Sequence, residues 1–159
     1  MNVNVKNIKY EDFVNYKKPS MFIAFPNCDF KCEKECGKQV CQNSTLAKAP
    51  NIKIEMCKII KSYIDNPITS SIVIGGLEPF YDFDQLAYMI DCFRDITNDD
   101  IVIYTGYYKD EIKDYIKQLK SYKNIIIKFG RFIPNQEKHF DKILGVYLAS
   151  KNQFAERIS

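Results

Sequence analysis

The chain has 159 residues, long enough to bury a core as one domain spanning 1–159. Hydrophobic content of 46% and charged content of 27% exclude a disordered polymer. A formal charge of +3, from 23 basic and 20 acidic residues, gives no argument for nucleic acid or an anionic membrane as partner. No apolar run approaches the ~20 residues of a membrane helix, and "MNVNVKNIKYEDF" lacks the apolar stretch of a secretory signal. A cytoplasmic protein is expected.

In chain order, "SMFIAFP" (20–26) reads as a buried strand ended by proline. A cysteine-rich loop follows. "NIKIEMCKIIKSYI" (51–64) carries Ile52, Met56, Ile59, Ile60 and Tyr63 at helical spacing. "SSIVIGG" (70–76) is a β-branched strand ending in two glycines. "DFDQLAYMIDCFRDI" (82–96) is helical, with Asp82 or Asp84 placed to cap it. "DIVIYTGY" (100–107) is a strand, "KDEIKDYIKQLKSY" (109–122) a helix with a solvated charged face, and "NIIIKFG" (124–130) a strand. A further short strand is expected in "KILGVYLAS" (142–150). Strands and helices in alternation, with short connections, imply right-handed βαβ units. The expected fold is therefore α/β, a mainly parallel sheet forming a small partial (β/α) barrel of about four to six strands, too few to close an eight-unit barrel. Ligands in such sheets sit at the carboxyl ends of the strands. The cysteine loop, Gly75-Gly76 and Thr105-Gly106 all fall there.

Four of the six cysteines, Cys28, Cys32, Cys36 and Cys41, fall within fourteen residues, "CDFKCEKECGKQVC". Clustered thiols in a reducing compartment point to metal or redox chemistry rather than disulfides. By themselves they suit a structural zinc or an iron–sulfur cluster equally. Cys57 and Cys92 lie inside helical patterns and are expected in the core. The strand end "IVIGGLEPF" (72–80) shifts the balance. Two glycines allow a ligand close to the backbone, and Glu78 can accept hydrogen bonds from an ammonium group.

At this point the sequence resembles the radical S-adenosylmethionine (SAM) enzymes, and more narrowly the activating proteins of anaerobic ribonucleotide reductase. "NIKYEDFVN" (7–15) is similar to their opening segment, "CDFKC…QVCQN" to their cluster loop, and "GGLEPF" to their Gly-Gly-Glu-Pro motif. "IVIYTGYYKDEI", "IIIKFGRFI" and "LASKNQFAERI" follow in the family's order. The resemblance implies a [4Fe–4S] cluster in a loop at 27–43, held by three cysteines with one iron open to SAM.

The family's usual C-x3-C-x2-C spacing is not kept here. Val40, the apolar residue before Cys41, and Asn43, in a C-x-N pattern after it, favour Cys28, Cys32 and Cys41 as the ligands. Cys36 is the less favoured alternative, and ligation by all four would close the open iron. Leu77 is inserted in the glycine motif. By resemblance Gly75, Gly76, Glu78, Tyr104 and Thr105 would bind SAM, with Val40 near its adenine. Arg131, Asn135, Asn152 and Gln153 rank below these, and His139 is expected at the surface.

The implied activity is reductive cleavage of SAM to a 5′-deoxyadenosyl radical that installs a glycyl radical on a large partner enzyme. A flavodoxin or ferredoxin would donate the electron. The alternatives are a radical SAM enzyme acting on another peptide or small molecule, and a non-catalytic iron–sulfur or zinc protein.

Overall fold

The computed structural model describes residues 1–159. Two strands open the chain, β1 (Asn2–Val5) and β2 (Asn7–Asp12), followed by β3 (Ser20–Phe25). The cysteine loop then holds two short helices, α1 (Lys31–Cys36) and α2 (Ser44–Lys48). Next come β4 (Ile52–Glu55), α3 (Met56–Asp65), β5 (Ser71–Gly76) and α4 (Phe83–Arg94). The chain continues through β6 (Asp100–Tyr104), α5 (Lys113–Leu119) and β7 (Ile125–Phe129). It ends with β8 (His139–Asp141), β9 (Val146–Leu148) and β10 (Phe154–Arg157).

Six strands form one open sheet in the order β10-β7-β6-β5-β3-β2. The four central strands, β3, β5, β6 and β7, are the ones the sequence shows as apolar runs, and all pair in parallel. Both edges are antiparallel, β2 against β3 and β10 against β7. The sheet does not close. A two-stranded ribbon of β1 and β4, and a hairpin of β8 and β9, stand outside it.

Parallel central strands are buried on both faces, so they read as unbroken apolar segments rather than alternating ones. On one face α3, α4 and α5 deliver Ile59, Leu86, Met89, Phe93 and Leu119 onto Ile23, Ile74, Ile103 and Ile127, a core of 23 buried residues. The opposite face carries a smaller cluster of seven, including Tyr16, Val73, Val102, Ile126 and Leu148. Asp100, at the start of β6, gathers Tyr16 Oη (2.9 Å), Lys18 Nζ (2.6 Å) and an Arg157 guanidinium nitrogen (2.9 Å). These bonds fasten the 13–19 segment and β10 to the sheet.

Several expectations need correction. Residues 52–55 are a strand, not the first turn of a helix, because Ile52 and Ile54 alternate with charged residues and β1 supplies a partner. The helix expected over 109–122 is shorter at both ends. Cys57 is exposed, on the outer side of α3, and Cys92 is half-buried against the core. His139 lies half-buried on β8 rather than at the surface. The short strand expected in 142–150 is β9, paired in the hairpin with β8. Asp82 caps α4, accepting the Gln85 N–H at 3.1 Å.

Candidate metal and cofactor site

A cavity of about 320 Å³ opens at the carboxyl ends of the central strands. Its size falls within the range of small-molecule sites.

The cysteine loop supplies one wall. After β3, Phe30 adopts a left-handed conformation (φ 53°) that turns the chain into α1, and its N–H donates to Cys28 Sγ at 3.2 Å. Cys32 lies early on α1 and Cys36 is its last residue. Gly37, at φ 67°, ends the helix and donates its N–H to Glu33 O at 2.8 Å. The Glu33 carboxylate then accepts the Cys41 N–H at 3.2 Å. One residue thus holds both ends of the extra turn between Cys32 and Cys41. As a result Cys28, Cys32 and Cys41 line the cavity while Cys36 does not.

Burial pushes the Cys28 thiol up to about 12, with the charges of Glu78, Asp29 and Cys32 adding to it. Cys32 is raised too, by burial and then by Cys41. Thiols so placed resist ionisation unless a cation compensates, and iron is such a cation. In this structure no three His, Cys, Asp or Glu side chains converge as a metal-ligand set. The donor chemistry of three soft thiols on one cavity nevertheless fits an iron–sulfur cluster.

The second wall is the end of β5. Gly76 has φ 83°, and a Cβ there would lie 2.7 Å from Ala24 Cβ and 2.8 Å from Ala24 Cα, so only glycine fits. Its carbonyl accepts the Asn43 amide at 2.6 Å, tying the cysteine loop to the strand end. Gly75 does not line the cavity. It lies beneath Tyr104 and Phe22, whose atoms would meet an added Cβ at 3.2 and 3.4 Å. Leu77 lines the cavity. Its N–H and that of Glu78 bond back to Phe25 O (3.4 Å) and Asn27 O (2.7 Å).

Glu78 is only 4% exposed. Its Oε1 accepts the Thr105 hydroxyl (2.7 Å) and the Phe80 N–H (3.1 Å), and Oε2 accepts the Gly106 N–H (2.9 Å). Burial pushes its pKa up to about 7 despite these donors. A carboxylate has about four acceptor positions. With three taken, Glu78 first of all locks the end of β6 to the end of β5, and about one position remains for a ligand ammonium.

Tyr104 lines the cavity, and its hydroxyl donates to Asn15 O at 2.6 Å. Val40 is half-buried and is not part of the lining. Arg131, 3% exposed, lies 4.8 Å over the Tyr108 ring and pairs with Glu111 and with Glu35 (3.2 Å). Glu111 also takes Lys31 at 3.1 Å, and Asp29 accepts the Tyr107 hydroxyl at 2.8 Å. Three polar links, two to α1 and one to the turn before it, therefore clamp this segment over the cavity. Gln153 lines it, accepting N–H bonds from Ala149 (3.0 Å) and Ser150 (3.2 Å), and Asn152 bonds to Arg131 O at 2.7 Å. Asn135 and His139 are not among the lining residues.

Asp29, Tyr107 and Lys128 were not singled out by the sequence reading. Only Lys128 left a signal, a lone charge within the apolar run "IIIKF".

No curated protein and no solved structure matches the chain. A family model does, described as a 4Fe-4S single cluster domain, over residues 19–154. That span runs from the start of β3 into β10 and takes in all of the cavity lining except Val14 and Asn15. With three cavity-facing thiols and a match over most of its length, the chain belongs to the 4Fe-4S single cluster domain family.

Proposed function

We propose that this chain is a radical SAM enzyme that cleaves SAM reductively, and that it installs a glycyl radical on a large anaerobic ribonucleotide reductase-like partner. One observation carries the reading: Cys28, Cys32 and Cys41, without Cys36, share one cavity with Gly76, Leu77, Glu78 and Thr105. A three-thiol set leaves a fourth iron free for a ligand. The open sheet then serves as a partial (β/α) barrel with its cofactors at the strand ends.

When bound, the cluster and SAM together supply one-electron cleavage of a sulfonium to methionine and a 5′-deoxyadenosyl radical. The chain's own residues do the rest. Cys28, Cys32 and Cys41 hold the cluster. The Gly76 backbone lets the amino-acid end of SAM approach the strand closely. The remaining acceptor position of Glu78 receives its ammonium. Leu77 and Tyr104 supply apolar surface for the nucleoside and help exclude water. The clamp of Arg131, Glu111 and Glu35 keeps α1 over the cavity. A flavodoxin or ferredoxin in the cytoplasm would supply the electron.

The test is anaerobic reconstitution with iron and sulfide, then dithionite and SAM, assaying 5′-deoxyadenosine. Wild type and Cys36→Ala should form product and Cys41→Ala should not. A wild-type protein with an intact, reduced cluster and no product would sink the radical reading and leave a non-catalytic iron–sulfur protein.

A further inference from the structure

Lys128 is the buried lysine of this chain, 7% exposed, on the cavity face of β7. Its ammonium donates to Gly130 O at 2.9 Å, and it sits 5.9 Å from the centre of the Tyr104 ring. An ammonium has three N–H groups, so two of them have no partner in the protein. The other cations on the cavity wall are ion-paired, while its two carboxylates, Asp29 and Glu78, are held by neutral donors and the Glu78 charge also reaches Lys128. Lys31 pairs with Glu111, Arg131 with Glu111 and Glu35, Asp29 accepts the Tyr107 hydroxyl, and Glu78 accepts three donors. Lys128 takes part in no ion pair. Burying a lone ammonium is costly. Consistent with that cost, burial lowers its pKa to about 8, which still leaves it mostly charged at neutral pH.

We propose that Lys128 is the floor of a second subsite in the cavity, one that binds a carboxylate of the substrate. The ligand class follows from charge and place. A buried cation with one hydrogen bond and two free N–H groups suits a monoanion that offers two oxygens, which is the geometry of a carboxylate. The inference rests on the radical SAM reading for its assignment to substrate rather than cofactor. In that reading the amino-acid end of SAM belongs beside the cysteines and Glu78. Lys128 lies on β7, two strands across the sheet from β5, whose end carries Gly76 and Glu78, or about 10 Å at ordinary strand spacing. Neighbouring strands place Gly75, Tyr104 and Lys128 at one level. The absent side chain of Gly75 and the Lys128 side of the tethered Tyr104 ring shape a floor one residue deeper than Gly76.

The experiment is calorimetric titration of the anaerobically reconstituted protein. Two probes present the carboxylate from different sources: N-acetylglycine as a small acid, and the amidated peptide N-acetyl-Gly-Asp-Gly as an acidic side chain. N-acetylglycinamide is the neutral control. At least one carboxylate probe should bind saturably, tenfold or more tightly than the amide. Lys128→Met should lose that preference and Lys128→Arg should keep most of it. The tighter probe names the source. In wild type, the Lys128 Cε resonance should shift on saturation with that probe, a readout that needs no variant. Equal binding of acid and amide, equal binding by wild type and Lys128→Met, or a tenfold loss in Lys128→Met for SAM alone would overturn the proposal. Carboxylate binding that persists in a protein unable to cleave SAM would locate the failure in the radical reading instead.

Discussion

On the helix-covered face of the sheet, 23 buried apolar residues form one continuous core. On the other face only seven do, and the space left over holds the cavity, with Glu78 and Lys128 in its wall. The same four strands supply both faces, one residue apart. Ile72, Ile74, Ile101, Ile103, Ile125 and Ile127 point to the helices, while Val73, Val102 and Ile126 point the other way. The helix-covered face is optimised for packing. The cavity face retains buried ionisable groups at a cost in stability, as functional sites commonly do.

The comparison can be broken most forcefully on the packed face. Phe93 is fully buried and meets the Tyr63 ring edge-on at 5.6 Å. Phe93→Ala should cost about 4 kcal/mol in denaturant unfolding. A loss below about 1 kcal/mol would show that this face repacks freely.

Gly76→Ala strikes the seam between the faces. It adds a Cβ that meets the backbone of β3 in a left-handed conformation, and should cost about 3 kcal/mol. A loss of cluster occupancy should accompany it, read from the iron–sulfur absorption.

Stability against pH sharpens the contrast further. Glu78 titrates near 7 when folded instead of its ordinary 4.5. Between those values the folded chain keeps a proton that the unfolded chain has released, so stability falls as pH rises. Lys128 titrates near 8 instead of 10.5. Between 8 and 10.5 the folded chain has lost a proton that the unfolded chain keeps, so stability recovers. Each contributes about 3 kcal/mol across its window. The cavity face should therefore impose a minimum near pH 7–8, measured by denaturant unfolding at a series of pH values. Glu78→Gln should remove the acid limb and Lys128→Met the alkaline one. Persistence of both limbs in these variants would assign the minimum elsewhere.

The smallest effect is at a helix end. Asp82→Ala removes the cap of α4 and should cost about 1 kcal/mol with no change in the cavity's pH response.

The central strands were legible because burial on both faces turns each into an unbroken β-branched run, and α4 because its period and cap agree. The edge strands were not. "NIKYED" is mostly polar and "FAER" is only four residues long, half of them charged, and both become strands only because β3 and β7 offer them partners. The cysteines, Gly76 and Glu78 stood out by residue type and by place at strand ends, and the structure gathers them around one cavity. Other features depend on tertiary position. Glu78 bonds to Thr105 and Gly106 across 27 and 28 residues, and Arg131 to Glu111 across 20, distances at which sequence carries no pairing signal. Lys128 was visible as an exception in an apolar run, but only the fold shows that it is buried without an ion pair.

The cysteine loop is anchored at both ends. Phe25 and Asn27 carbonyls take N–H groups from residues 77 and 78 at its start, and the Lys6 ammonium holds the carbonyls of Ala47 and Ala49 at its finish. Between these anchors the closure entropy grows only with the logarithm of length. The number of residues separating Cys32 from Cys41 is thus nearly free to drift without disturbing the sheet. Spacing between thiols is a poor guide to kinship in such a protein, and the fixed points on either side are a better one.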